Sequence, residues 1–124
     1  MKKKVVIIGG GNGSAKSIRA CKVCIDKIEL SAIISVSESG GSSGGLRREF
    51  GVLPPGDLLR AIMAMSVHDY DLLKSIFYSP RFEGQGKFDT HNIGNLFLTL
   101  GAKYDGDSIH AIRALEQGLG AEGR

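Results

Sequence analysis

Apolar residues recur along the chain with two different periods, which predict a β-α-β unit at the amino terminus. In residues 4–8, Lys4 is followed by Val-Val-Ile-Ile and then by three glycines, which is typical of a strand buried on both faces of a parallel sheet. Residues 14 to about 27 carry apolar positions at helical spacing, and the isoleucine-rich residues 30–36 predict a second strand. We expect the connection between these strands to be right-handed.

Helical periodicity predicts four more helices after the second strand. Their apolar positions are Leu58, Leu59, Ile62 and Met65; Leu72, Leu73, Ile76 and Phe77; Ile93, Leu96, Phe97 and Leu100; and Ile109, Ile112 and Leu115. Asp107 is placed to open the last helix, and the final residues, 118–124, are expected to close no element.

The number of strands is low for an α/β protein. Open α/β sheets have about five or six strands, and a ligand crevice needs neighbours on both sides of the first strand. We therefore expect a Rossmann-like three-layer fold with a parallel sheet, truncated after the β-α-β unit and its following helices. The alternative is that the missing sheet is supplied by self-association into a homo-oligomer.

Composition favours a single packed domain over residues 1–124. Hydrophobic residues make up 42% of the chain and charged residues 23%, and no apolar run approaches the length of a membrane span, so a cytoplasmic location is expected. The net charge of +3 is scattered and the chain has no Trp, which argues against nucleic-acid binding. Cys21 and Cys24 lie on the apolar stripe of the first predicted helix and are interpreted as packed thiols.

The first glycine-rich loop lies between the first strand and the first helix. There, Gly10, Gly11, Asn12 and Gly13 are placed to bind a phosphate through backbone N–H groups at the positive end of the helix. Compared with a dinucleotide fingerprint, the loop has Ser14 in place of the third glycine. Glu38 follows at the distance of a ribose-binding carboxylate, which makes NAD(P) a candidate ligand. A plain tight turn and a solvated Glu38 remain the alternatives.

The second loop, residues 40–57, combines glycines, serines and arginines in a pattern suited to an anionic ligand. Glycines let a ligand approach the backbone, hydroxyls donate hydrogen bonds, and guanidinium groups bind a diphosphate in a bidentate manner. The alternative is that the arginines pair with Glu49 or face water. The candidate donors are Gly40, Gly41, Ser42, Ser43, Arg47 and Arg48.

Two further groups of polar residues lie at predicted helix starts. Asp57 follows Pro-Pro-Gly and is suited to cap a helix. His91, Asn92 and Asn95 surround the start of another helix, where Asn95 can donate to a phosphate; alternatively, Asp89 or Thr90 caps that helix and His91 packs locally. No Ser-His-Asp or Cys-His arrangement can be assembled, so covalent catalysis has no support.

Taken together, these motifs resemble the YvcK branch of the CofD-like superfamily, the gluconeogenesis factors. The resemblance covers most of residues 4–100 and is most specific in the long glycine-serine-arginine loop. The 2-phospho-L-lactate transferases of the superfamily share the general plan but resemble this chain less across that loop. The segments that carry the resemblance are Gly-Gly-Gly-Asn-Gly at 9–13, Ser-Glu-Ser-Gly-Gly-Ser-Ser-Gly-Gly-Leu-Arg-Arg-Glu-Phe-Gly at 37–51, Val-Leu-Pro-Pro-Gly-Asp at 52–57 and His-Asn-Ile-Gly-Asn-Leu at 91–96.

The resemblance implies a pocket for a nucleotide or nucleotide sugar where the loops meet, with UDP-sugars as candidate ligands and a regulatory role in carbon metabolism or cell-wall synthesis. It also implies that Asp57 orients the ligand or a metal such as Mg²⁺. The alternative is a transferase that moves a phospholactyl-type group from a nucleotide diphosphate carrier to an alcohol, so the resemblance leaves turnover open. This chain has Glu38-Ser39 where relatives carry two acidic residues, and relatives continue past its last residue, which weakens the enzyme interpretation.

Overall fold

The computed structural model describes residues 1–35, 56–81, 83, 92–105 and 108–124. Strands β1 (Lys3–Gly9) and β2 (Ile28–Ile34) pair in parallel, with Lys3 opposite Ile28 and Gly9 opposite Ile34. Helix α1 (Gly11–Cys21) and a 3₁₀ turn (Lys22–Cys24) connect them. The predicted β-α-β unit is confirmed, although α1 is shorter than its sequence pattern suggests. Cys21 is therefore the last residue of α1 and Cys24 lies in the 3₁₀ turn, and both are free and half-buried.

The two faces of the sheet differ in burial. Val5 and Ile7 of β1 and Leu30 of β2 face a cluster of apolar helix residues, whereas Val6, Ile8 and Ile33 are exposed to 54%, 76% and 58%. The expectation that the first strand is buried on both faces is wrong for the described residues, because the helices that pack on the sheet lie on the same side. The expectation of self-association stays a prediction.

Four helices follow β2 in the described residues. They are α2 (Gly56–Met65), α3 (Tyr70–Leu73, continued by a π-helical turn at Lys74–Tyr78), α4 (Ile93–Asp105) and α5 (Ser108–Gly118). All four predicted segments are helical, while Asp107 lies outside the described residues. None of the helices within the described ranges has both the length and the apolar character needed to cross a membrane.

Helix α2 joins two hydrophobic clusters. Its Ala61, Ala64 and Met65 pack with α1 and the sheet, where the small alanines allow close contact. On its other side, Leu59, Ile62 and Met63 pack against α3, α4 and α5. Because a helix that is apolar all round is stable only when covered on all sides, α2 forms the centre of the domain.

The last residues form main-chain contacts that the sequence pattern did not predict. Ser66 and Ala121 form an isolated antiparallel bridge, and the N–H of Glu122 donates to the carbonyl of Met65 at 2.8 Å. Arg124 then reaches β2, where its N–H donates to Leu30 and its carbonyl accepts from Ala32. The expectation that residues 118–124 close no element is therefore wrong. These contacts leave no signal in the sequence, because main-chain pairing needs no side-chain pattern.

We expect Gly94→Ala to destabilise the fold. A Cβ at position 94 would lie 2.5 Å from Leu59 Cδ2 and 3.1 Å from the carbonyl oxygen of Phe77, and Leu59 is fully buried and cannot move aside. Forcing a methyl group into such a site costs about 1–3 kcal/mol. Chemical denaturation should show a corresponding loss in the free energy of unfolding.

Gly118→Ala provides the matched control, because a Cβ there meets nothing within 4 Å. Alanine is favoured over glycine in a helix by up to about 1 kcal/mol, so this variant should be as stable as the parent or more so. Equal stabilities for the two variants would show that α2 and α4 do not approach as closely as described.

Candidate functional site

The turn between β1 and α1 starts the helix at a glycine, which offers no side-chain cap. Gly10 is the N-cap residue, with extended backbone (φ −90°, ψ −162°), and as a glycine it has no side chain with which to cap the first N–H groups of the helix. A Cβ at Gly10 or Gly13 would meet nothing within 4 Å, so internal packing does not require glycine at these positions. Unsatisfied N–H groups at the positive end of a helix, in open space, are suited to bind an anion.

A buried hydroxyl lies beside the same turn. Ser14 is 4% exposed and its Oγ has no hydrogen-bond partner in the part of the chain that the structure describes, while a Cβ at Gly9 would lie only 2.8 Å from that oxygen. An unsatisfied buried hydroxyl costs about 1–3 kcal/mol, so such a group is rarely left without a partner. The sequence interpretation gave Ser14 only a packing role, since burial cannot be inferred from the motif.

Asp57 lies in the first turn of α2, one residue inside the helix rather than at its N-cap. A carboxylate there is favoured by the helix dipole. Its Oδ1 is 3.9 Å from Nη1 of Arg60, and both side chains are about four-fifths covered, at 18% and 25% exposure. The predicted capping role is thus replaced by a dipole contact and a partly buried ion pair.

Arg60 also contacts an aromatic ring that the sequence interpretation missed. Its guanidinium lies 4.7 Å from the centroid of the Tyr78 ring, and that of Arg81 lies 5.3 Å from the same centroid. These distances are in the range of cation–π contacts. The spacing from Asp57 to Arg60 was a usable signal for the ion pair, but nothing local in the sequence connects either residue to Tyr78.

Asn92 is the N-cap of α4. Its Oδ1 accepts from the N–H of Asn95 at 2.8 Å, and its Nδ2 donates to the carbonyl of Tyr78 at 3.1 Å. The alternative that Asp89 or Thr90 caps this helix is wrong, because α4 begins at Ile93 and the amide of Asn92 already fills the capping position. Asn92 therefore fixes the start of α4 against the end of the π-helical turn.

Helix α4 buries polar residues and exposes apolar ones. Asn92, Asn95 and Thr99 share one face and are at most 1% exposed, whereas Ile93, Phe97 and Leu100 are exposed to 49%, 46% and 39%. The hydroxyl of Thr99 has no hydrogen-bond partner within the described ranges. Because Leu98 of the same helix is buried in the apolar core, the buried face of α4 is part polar and part apolar, whereas the buried stripe of a surface helix is usually apolar throughout.

The helix starts that carry these residues lie at one end of the domain. Helix α1 begins where β1 ends. Helix α2 runs antiparallel to β2: Leu58, near the start of α2, lines one cavity with Ile34 at the end of β2. Met65, at the end of α2, and Leu30, near the start of β2, both lie close to Gly123. Gly94 against Leu59 places the start of α4 beside the first turns of α2. The structure thus brings Asp57, Asn92 and Asn95 to the end of the domain at which Gly10, Gly11, Asn12 and Gly13 lie.

The remaining predicted site residues lie outside the described residues, so their positions stay predictions. These are Glu38, Gly40, Gly41, Ser42, Ser43, Arg47, Arg48 and His91. Within the described ranges, no group of three or more His, Cys, Asp or Glu side chains is arranged to hold a metal ion. Asp57, paired with Arg60, does not by itself complete a Mg²⁺ site.

Comparison with known proteins gives a consistent result. The family model described as 2-phospho-L-lactate transferase CofD matches residues 5–124. A Thermotoga maritima protein is 43% identical over 98% of this chain and 37% of its own length. Proteins named gluconeogenesis factor from Bacillus subtilis and Listeria innocua are 33% and 37% identical over 99% of this chain, covering 38% and 37% of their own lengths.

Solved structures agree with the sequence comparison. A crystal structure of a UPF0052 family member from Bacillus halodurans has a TM-score of 0.87 and 35% identity over 99% of this chain and 38% of its own. The described fold is therefore Rossmann-like α/β. The chain spans less than two-fifths of the length of the relatives that it matches.

We expect Asn92→Ala to destabilise the domain by about 2–4 kcal/mol. The change removes the cap of α4, worth about 1 kcal/mol, and also the part-buried hydrogen bond to the carbonyl of Tyr78, whose loss costs about 1–3 kcal/mol. Asn92→Ser retains a capping oxygen and should therefore recover the part of the lost stability that is due to capping, about 1 kcal/mol. Chemical denaturation measures both variants. Equal stability of Asn92→Ala and the parent would contradict the capping role.

Proposed function

The chain belongs to the CofD family, and on that premise we propose that it binds the diphosphate of a nucleotide or nucleotide sugar at the carboxyl end of its sheet, as a regulatory protein. The family match confirms the resemblance found in the glycine-rich motifs. Several similar relatives carry the name gluconeogenesis factor. Because this chain spans about 37% of the length of such relatives, a role of this chain in gluconeogenesis is part of the proposal.

One observation carries the proposal: an uncapped helix start with a buried, unpartnered hydroxyl beside it. The N-cap residue of α1 is a glycine without a side-chain acceptor, and Ser14 Oγ, near the start of the same helix, has no partner among the described residues. A phosphate oxygen at this position would accept from the first N–H groups of α1 and from the hydroxyl together. Such charge-assisted hydrogen bonds are about twice as strong as neutral ones.

The other helix starts support a ligand larger than a single phosphate. Asn92 and Asn95 form a buried polar surface at the start of α4. Arg60 is held in place by Asp57 and by the ring of Tyr78. We propose that Arg47 and Arg48 of the long loop bind the second phosphate, and that UDP-sugars or NAD(P) are the ligands to test first.

Calorimetric titration with UDP-glucose tests the proposal, with UMP and glucose measured separately to identify the contribution of the diphosphate. We expect saturable heat with UDP-glucose, and an affinity at least about tenfold lower for the Arg47→Ala/Arg48→Ala double variant, because each guanidinium–phosphate contact contributes about 1.5–3 kcal/mol. NAD⁺ and NADP⁺ are titrated in parallel.

The charge-matched control is the Lys3→Ser/Lys4→Ser double variant, which also removes two positive charges but in the exposed part of β1. This variant should bind as the parent does. If both double variants weaken binding equally, the effect is general charge attraction and the proposed site is wrong. Absence of heat with every nucleotide, from a folded protein, would refute nucleotide binding.

A transferase is the second candidate, because the matching family model is described as 2-phospho-L-lactate transferase CofD. In that reaction an acceptor alcohol oxygen would form a bond to the phosphorus of the transferred group while the bond to the nucleoside monophosphate breaks. The alcohol proton would pass to a base. Incubation with a nucleotide diphosphate carrier, Mg²⁺ and an alcohol acceptor should release nucleoside monophosphate; if binding occurs without release, the regulatory function is favoured.

Ser14→Ala should separate binding from folding. Removing an unpartnered buried hydroxyl leaves the free energy of unfolding unchanged within about 0.5 kcal/mol or raises it, because no hydrogen bond to another described residue is lost. The affinity for UDP-glucose should fall about tenfold, as expected from the loss of one hydrogen bond to a charged group. Thermal denaturation and calorimetry give the two quantities.

Thr99→Val is the matched control, since it removes another buried hydroxyl without a partner, two turns away from the start of α4. We expect it to leave both stability and affinity close to those of the parent. A loss of stability in Ser14→Ala, or an unchanged affinity, would contradict the role proposed for Ser14.

A further inference from the structure

The two cysteines of the chain lie within one helical turn at the carboxyl end of α1. Cys21 is the last residue of α1 and Cys24 ends the 3₁₀ turn. The backbone here is right-handed helical, with φ −67° and ψ −28° at Cys21 and φ −61° and ψ −21° at Lys22. Residues three apart in such a backbone lie on one face with Cα atoms about 5–6 Å apart, which is the usual Cα separation across a disulfide.

The thiol of Cys24 is directed back towards Cys21, because its Sγ donates to the carbonyl oxygen of Cys21 at 3.3 Å. Cys21 packs against the cluster formed by α1 and the sheet, whereas Cys24 belongs to neither hydrophobic cluster of the described residues. The interpretation as packed thiols therefore holds for Cys21 only. Both cysteines are half-buried and Val23 between them is 88% exposed, so the turn lies at the surface, within reach of a small molecule.

Contacts that do not involve the thiols hold this turn in place. The N–H of Ile25 donates to the carbonyl of Lys22 at 3.2 Å, which closes the turn. The Nζ of Lys22 donates to the carbonyl of Ser66 and lies 4.0 Å from Oε2 of Glu122, so the turn is fastened to parts of the chain that are distant in sequence. Because the fold fixes the backbone between the cysteines, their thiols are held close together before any bond forms between them.

We propose that Cys21 and Cys24 form a reversible disulfide by exchange with a small disulfide such as glutathione disulfide. One cysteine thiolate attacks a sulfur of the small disulfide, which forms a mixed disulfide and releases one small thiolate. The second cysteine thiolate attacks the cysteine sulfur of the mixed disulfide and releases the other. Each cysteine sulfur gives up one electron, the small disulfide is reduced to two thiols, and the two cysteine protons go to those thiols.

This site is separate from the proposed nucleotide site, because Gly10 and the cysteines are at opposite ends of α1. Two residues between cysteines, in a chain with a β-α-β unit, is a spacing typical of dithiols that are oxidised and reduced. Since the folded backbone already holds the thiols close, the disulfide forms more readily in the folded protein than in the denatured chain. By thermodynamic linkage, the disulfide then stabilises the folded state by the same factor.

Equilibration in mixtures of reduced and oxidised glutathione measures the oxidation constant, once in native buffer and once in concentrated denaturant. After acid quenching, mass spectrometry separates the dithiol from the intramolecular disulfide, which is lighter by two hydrogen atoms, and from mixed disulfides with glutathione. We expect the oxidation constant of the folded protein to be at least about tenfold larger than that of the denatured chain.

The matched control is the Val23→Cys/Cys24→Ser double variant, which keeps two cysteines but places them two residues apart. Because residues two apart on a helix do not face each other, folding should not increase its oxidation constant. Val23 is exposed and Cys24 lies outside the apolar clusters, so this variant should fold, and circular dichroism checks that it does.

Three outcomes would overturn the proposal. The first is an equal oxidation constant for the folded and denatured parent chain. The second is folded parent protein that accumulates as mixed disulfides with glutathione or as disulfide-linked dimers. The third is a folded control variant whose oxidation constant increases on folding as much as that of the parent.

Discussion

The burial of α2 on two sides is the constraint on which the rest of the structure depends. Ala61 and Ala64 allow α1 and the sheet to approach on one side, and Leu59 and Met63 fill the core formed with the later helices on the other. Because α2 is fixed by both clusters, its first turn cannot shift independently of the sheet. Gly94, in close contact with Leu59, then fixes the start of α4 relative to the same turn. The candidate site is therefore held by apolar packing, although its own residues are polar.

The local elements could be predicted because their signals are local. A continuous apolar run followed by glycines, and apolar residues at helical spacing, identify β1, α1 and the four later helices within a few residues. The burial of each face depends on elements that are distant in sequence, and this is why Val6 and Ile8 were expected to be covered and are exposed. The pairing of Arg124 with β2 was not predictable either, because it uses main-chain groups that every residue has.

The candidate site likewise contains residues that a local sequence signal identifies and residues whose role depends on distant parts of the fold. The glycines of the first loop were identified from their position between a strand and a helix, and the open surroundings of Gly10 and Gly13 are those that the proposed ligand-binding role needs. The structural function of Asn92 was not recognised, since the choice of a cap depends on which residue begins the helix. Ser14 and Thr99 could not be singled out, because an unpartnered hydroxyl is defined only by its surroundings in the fold.

The central claim is that a diphosphate binds at the start of α1, and nuclear magnetic resonance titration with UDP-glucose tests it most directly. The account predicts saturable shifts that are largest at the amides of Asn12, Gly13 and Ser14, because these N–H groups would change from solvent to phosphate as their acceptor. Shifts confined to the amides of Lys2, Lys3 and Lys4, or changes that do not saturate, would contradict the claim.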